Sequence, residues 1–233
     1  MATSTGRDNS GALLTTGAEV RLTNGRRDRV VVCVNGGLGG EVAGTWSATI
    51  EWLVSRLAPK LPAVGFAEVR YRIKSWRQFD LCVEDARAAV REVGGARTLL
   101  LGFSMGGAVA IASADEPAVE RVVGLAPWIP DRLALETLGG KPLDVLHGSF
   151  DRYLPGIPGV NPASSRRGFE RARELGSPGT YTLIRGGLHG VAVRVPGGVL
   201  VPLPLAGRWL RLLAGQLDGF AAESSAANLH LRR

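Results

Sequence analysis

Gly102-Phe-Ser104-Met-Gly106 follows the apolar run Leu99-Leu-Leu101 and precedes the small-residue stretch Gly107-Ala-Val-Ala110. A strand, a sharp turn and a helix in that order lift a serine hydroxyl out of a sheet, the arrangement of a nucleophile elbow. In a chain with 32 glycines among 233 residues, about 0.25 such matches arise by chance, so the motif needs its context. A serine hydroxyl is a weak nucleophile at neutral pH; it needs a base within hydrogen-bond reach and a third group that orients the base. A glycine-rich turn capped by a serine is the structural alternative.

Three histidines are available as the base. His147 lies inside the apolar run Leu143-Asp-Val-Leu-His147, which favours a hydrogen-bonded core or strand-end role, and His230 lies in a polar terminal segment. His189, in Arg185-Gly-Gly-Leu-His189-Gly190, follows the last predicted strand and is flanked by glycine. It is the expected base. The orienting acid should fall between serine and histidine, just after a strand, and Asp151 in His147-Gly-Ser-Phe-Asp151 does so. Asp144 lies within the strand and Asp131 too early, so both are weaker candidates, and a turn aspartate is the alternative for Asp151.

Attack on a carbonyl also needs two donors for the oxyanion, each contributing roughly 3 kcal/mol to lowering the barrier. The expected pair is the backbone N–H of Met105, next after the serine, and that of Gly37 in the turn Asn35-Gly-Gly-Leu-Gly-Gly40, with Leu38 as the next choice. A phosphate-cradling loop is the competing reading of this glycine run. It lacks a following Gly-Lys-Ser/Thr and does not match G-x-G-x-x-G.

These residues must be held by strands and helices in alternation. Arg29–Val34 is a β-branched run suited to a strand buried on both faces. Strands are further expected at 63–71, 98–101, 121–125, 143–147 and 180–184. Helices are expected at 46–57, 80–93 (capped by Asp80), 105–114, 164–175 and 205–217. The alternation predicts an α/β fold with a doubly wound, mostly parallel sheet, whose active site lies beyond the carboxyl ends of the strands. Residues 18–219 are expected to form one domain, with a disordered tail at 1–17 and a second tail at 220–233.

Composition narrows the partners. The net charge of +7 comes from cations that are nearly all arginine and are dispersed along the chain, without zinc-finger spacing or basic-aromatic alternation, so nucleic acid is not expected. No long apolar run or signal-peptide core is present, which predicts a cytoplasmic protein without membrane partners. Cys33 and Cys82 fall in predicted buried elements as reduced thiols, and neither metal nor cofactor is expected. Oligomeric state is left open.

With these positions in place, the chain from about Val30 to Leu217 resembles the α/β-hydrolase superfamily. The motifs that carry the likeness are Asn35-Gly-Gly, Arg70-Tyr-Arg72, Asp85-Ala-Arg87, Gly102-Phe-Ser-Met-Gly-Gly107, Leu125-Ala-Pro-Trp128, Leu146-His-Gly148 with Asp151, and Gly187-Leu-His189. They look like those of small bacterial esterases and dienelactone-hydrolase-like members. Many such relatives carry histidine where this chain has Asn35. The resemblance implies acyl transfer to water from an ester or thioester through Ser104, His189 and Asp151, and an open site without a cap would take a small or medium substrate. The short segment between the strands at 125 and 142 implies no large cap domain. Tyr153–Pro162 and Val191–Leu205 are expected to shape the site, with Leu38, Trp46 and Trp128 lining a substrate pocket and Arg152 attracting an anionic ester. A lyase, carbon-carbon hydrolase or perhydrolase on the same scaffold, and a non-catalytic binding protein, are the alternative function classes.

Overall fold

A computed structural model describes residues 11–25, 27–151 and 159–222. Its strands are β1 (Ala12–Leu13), β2 (Glu19–Thr23), β3 (Arg29–Val34), β4 (Val42–Ala43), β5 (Val64–Arg70), β6 (Ile73–Lys74), β7 (Arg97–Phe103), β8 (Val119–Leu125), β9 (Leu143–Gly148), β10 (Tyr181–Ile184), β11 (Ala192–Arg194) and β12 (Leu200–Pro202). The α-helices are α1 (Ala48–Leu57), α2 (Phe79–Val93), α3 (Met105–Ala112), α4 (Pro162–Glu174) and α5 (Ala206–Ala222).

Eight strands form one sheet in the order β1-β2-β5-β3-β7-β8-β9-β10. All neighbours from β5 to β10 run parallel, while β1 and β2 pair antiparallel at one edge. From β3 the sheet grows through β5 on one side and through β7 on the other. The crevice at that reversal is where an open α/β sheet binds ligands.

The pleat sends alternate side chains to opposite faces. Val30, Val32 and Val34 join a core layer with α2, α3 and part of α4, whereas Val31 and Cys33 join a second layer with α1 and α5. Both faces of β3 are thereby buried, as its unbroken β-branched run requires. Cys33 and Cys82 are buried free thiols. Burial pushes both up in pKa, Cys82 to about 11, which leaves them protonated and inert.

Several boundaries differ from the sequence expectation. The first tail was expected to run to residue 17, yet β1 pairs with β2 and Leu14 is buried. The last helix continues past 217 to Ala222, because Phe220 still packs into the second core layer. The remainder of both expected tails, with His230, lies outside the described residues. Asp80 does not cap α2: the helix starts one residue earlier, Gln78 occupies the cap without a side-chain bond, and Asp80 sits in the first turn, where a negative charge suits the helix dipole. Between β8 and β9 the chain makes only a short 3₁₀ turn at Glu136–Leu138, and no cap domain is inserted there.

Candidate active site

Ser104 ends β7 and opens α3 with φ 57° and ψ −121°, a backbone conformation rare for a residue bearing a Cβ. Its N–H donates to the Leu125 carbonyl (3.0 Å), while its own carbonyl accepts from Gly107 (2.9 Å) and Trp128 (2.8 Å). The turn is pinned on both sides. Close packing dictates its glycines: a Cβ on Gly102 would collide with the Gly106 carbonyl, and one on Gly106 with the carbonyls of Val34 and Asn35. Ser104 makes no capping bond with its side chain, so the capping-serine alternative does not describe it.

The hydroxyl instead meets His189: Ser104 Oγ lies 3.0 Å from Nε2, and the other ring nitrogen, Nδ1, lies 2.7 Å from Asp151 Oδ2. The structure thus brings Ser104, His189 and Asp151 into one hydrogen-bonded chain. The loops carrying acid and base are stitched together, with Phe150 N–H donating to the Gly187 carbonyl (2.8 Å) and Gly186 N–H to Ser149 Oγ (2.9 Å). On its far side the histidine loop is tied to α1, since Val191 N–H donates to Thr49 Oγ1 (3.0 Å). The Phe103 ring sits 5.1 Å from the imidazole, centroid to centroid.

Asp151 is fully buried. Its Oδ1 accepts from Val160 N–H (2.8 Å), and Oδ2 is shared between His189 and the Nε2 of His147 (3.0 Å). Burial alone would raise this carboxyl, but the hydrogen bonds from His147 and His189, with their charges, outweigh it and hold it below the usual carboxylate range. A base flanked by such a carboxylate is fixed in one tautomer. Asp144 is engaged elsewhere, with Arg121 and Thr180. Asp131 faces Arg171 on the surface.

His147 occupies the strand-end role expected of it, but its partners were not legible in the sequence. Its Nδ1 meets Ser165 Oγ (2.7 Å), which in turn meets the Tyr181 hydroxyl (2.9 Å). A second polar chain therefore reaches Asp151 through the core.

The loop after β3 crosses the serine from the β3 side of the crevice. A Cβ on Gly36 would stand 3.1 Å from that of Ser104, and one on Gly37 would collide with Met105 Sδ and the Trp76 ring. Asn35, where the resemblance led one to expect histidine, braces this loop by itself. Its Nδ2 donates to the Thr45 carbonyl (2.8 Å), its Oδ1 accepts from Gly36 N–H (2.7 Å), and its carbonyl accepts from Tyr71 OH (3.0 Å).

A cavity of about 550 Å³ opens beside His189, lined among others by Trp46, Lys74, Phe103, Phe150, Arg194 and Leu203. Of the three expected pocket residues, Trp46 lines it and the other two do not. Leu38 is 40% exposed, its carbonyl bonded to Trp76 N–H (3.0 Å). Trp128 is held by its backbone to Ser104 but turns its ring onto Trp76 (6.4 Å) and lines a separate 300 Å³ cavity with Phe79 and Leu133. The stretch Val191–Leu205 does shape the site, as the hairpin β11–β12. Of Tyr153–Pro162, residues 153–158 and the neighbouring Arg152 lie outside the described residues. Sequence reasoning overlooked Phe103, Phe150, Lys74 and Trp76; the first two are adjacent to Ser104 and Asp151, the signal that would have found them. No helix among the described residues is long and apolar enough to cross a membrane, and they contain no cluster of ligands able to hold a metal.

No protein-family model and no curated protein sequence matches the chain. Solved structures do. An α/β hydrolase from a Medee basin deep-sea metagenome library superposes with a TM-score of 0.66 at 17% identity, covering 91% of this chain and 98% of its own. An esterase of Pyrococcus furiosus gives 0.63 at 14% identity, covering 93% and 90%. A lidless serine hydrolase from Xanthomonas campestris gives 0.56 at 15% identity, covering 90% and 92%. At such identities the likeness speaks to architecture, and together with the strand order, the strained turn at Ser104 and the missing cap insertion it establishes that this chain has the α/β-hydrolase fold.

Proposed function

We propose that the protein is a serine hydrolase that cleaves a small carboxylic ester or thioester through Ser104, His189 and Asp151. The observation that carries this reading is the continuous hydrogen-bonded chain Ser104 Oγ, His189 Nε2, His189 Nδ1, Asp151 Oδ2, with both links at 3.0 Å or less. In this mechanism Asp151 holds the Nδ1–H tautomer, so that Nε2 accepts the hydroxyl proton as Ser104 Oγ bonds to the carbonyl carbon. The oxyanion takes hydrogen bonds from the backbone N–H groups of Met105 and Gly37. His189 then returns the proton to the leaving alkoxide or thiolate, and a water activated by the same nitrogen hydrolyses the acyl-enzyme. Ester and thioester leaving groups need less protonation on departure than the amine of an amide, which suits proton return from the His189 imidazolium. Esterases and hydrolases among the structural neighbours accord with this chemistry.

The test is labelling with a fluorophosphonate probe and peptide mass spectrometry, beside Ser104→Ala and His189→Ala, with p-nitrophenyl esters of increasing chain length in parallel. A stoichiometric adduct on Ser104 that both substitutions abolish is the expected result. Well-folded protein that takes no label would overturn the mechanism and favour a binding role on this fold.

A further inference from the structure

Lys74, on β6, shares the cavity beside His189, and its Nζ reaches Thr45 Oγ1 at 3.3 Å. Among the described residues no carboxylate pairs with it. Glu41, next to the β4 residue that faces Lys74 in register, accepts instead from Gln78 (2.9 Å). The other cation on the cavity wall, Arg194, is neutralised by Glu51 (2.7 Å), which also pairs with Arg21. Among the described residues, no aspartate or glutamate lines the cavity. A half-buried ammonium that has no counter-charge among the described residues therefore faces a space otherwise walled largely by apolar side chains such as Trp46, Phe103 and Leu203.

We propose that this cavity is the acyl subsite for dicarboxylic half-esters, with Lys74 binding the distal carboxylate while the ester carbonyl lies at Ser104. The inference rests on the serine-hydrolase reading above and names its substrate class. A methylene chain suits the apolar walls between cation and base, and the volume is ample for a small acyl chain. A single ammonium, a compact point charge without a donor fork, matches a monoanion better than a phosphate dianion. Burial lowers the Lys74 pKa, the penalty an incoming carboxylate would offset.

The experiment compares monomethyl esters of the straight-chain diacids from succinate to suberate with methyl esters of the monoacids of equal carbon number, by pH-stat. It uses the full chain and the variants Lys74→Met and Lys74→Glu. The expected result is a kcat/KM ratio of about tenfold or more favouring the charged ester at its best length, falling to near one in Lys74→Met and below one in Lys74→Glu. A ratio that Lys74→Met leaves unchanged, or no preference at any length, overturns the subsite while leaving the hydrolase reading intact. If Ser104 takes the fluorophosphonate but none of these esters turns over, the readout becomes protection from labelling by adipate. Protection in wild type and not in Lys74→Met supports the subsite, and its absence overturns it. Failure of Ser104 to label at all removes the hydrolase reading and this inference together.

Discussion

Asp151 Oδ2 is shared by two imidazoles, Nδ1 of His189 at 2.7 Å and Nε2 of His147 at 3.0 Å. The two rings stand in different relations to the chemistry. His189 continues to Ser104, whereas His147, fully buried, hands its other nitrogen to Ser165 and shares its Nε2–H with the Val160 carbonyl (3.0 Å). His147 is thus a positioning residue: it holds the carboxylate that holds the base.

The two contacts are separable by substitution. Asp151→Asn keeps the shape but can present an N–H to His189 and favour the wrong tautomer, so kcat should fall by about 10⁴. His147→Gln leaves the carboxylate charged and costs it one of its donors, with an expected loss of about 10- to 100-fold, the scale of a small misplacement of the base. Steady-state rates with p-nitrophenyl acetate check both, and equal losses in the two variants would contradict this division of roles.

Acid sensitivity follows from the same carboxylate. The Asp151 carboxyl is lowered from an ordinary 3.8 because donors from His147 and His189 outweigh its burial, and that of Glu51 from 4.5 because Arg194 and Arg21 outweigh its burial. Both bind fewer protons folded than unfolded, so the stabilisation they provide is complete above those ordinary values and is lost as pH falls through the lower folded ones. Urea midpoints measured from about pH 6 to pH 2.5 should drop below about pH 4.5. In Asp151→Asn that acid limb should be shallower; an unaltered slope would place the acid sensitivity elsewhere.

What the chain disclosed in advance, and what it withheld, divides along a physical line. Strands buried on both faces, such as Arg29–Val34, are apolar runs that announce themselves, and residues that chemistry requires after such strands can be placed by order alone. Strand β2, second from the edge, was hidden because Arg21 is buried in it against Glu68 and Glu51, so its charge breaks the apolar run that marks the central strands. The hairpin β11–β12 turns at Pro196-Gly-Gly198, a signal present in the sequence but overshadowed by the apolar residues around it. Cavity walls are the least legible feature, since Trp46, Lys74, Phe103 and Leu203 meet only through tertiary packing. Trp128 shows the limit most directly: its position next to the nucleophile in space was readable, but the direction of its ring, onto Trp76, was not.

Gly37 offers a test of the oxyanion donors that leaves the triad untouched. A Cβ there would meet Met105 Sδ and the Trp76 ring, forcing the loop away from the serine. Gly37→Ala should lower kcat by about 10²- to 10³-fold, the effect of losing one oxyanion donor, with a far smaller change in KM. Fluorophosphonate labelling should slow in parallel while the melting temperature moves little. A variant with normal kcat would exclude the Gly37 amide from the transition state.

Backbone strain at Ser104 predicts a trade between stability and activity. At φ 57° and ψ −121° the residue occupies a region that disfavours any side chain, at a cost of about 1–3 kcal/mol, yet glycine adopts it readily. Ser104→Gly relieves that strain, and the extra freedom glycine brings to the unfolded chain offsets only about 0.5–1 kcal/mol of the gain. Ser104→Ala keeps the Cβ and hence the strain, which makes it the control for loss of the hydroxyl. Urea unfolding should show the glycine variant more stable than the alanine variant, by up to about 2 kcal/mol, with hydrolysis abolished in both. If the two variants unfold together, the turn is held without strain and Ser104 was not placed at the expense of stability.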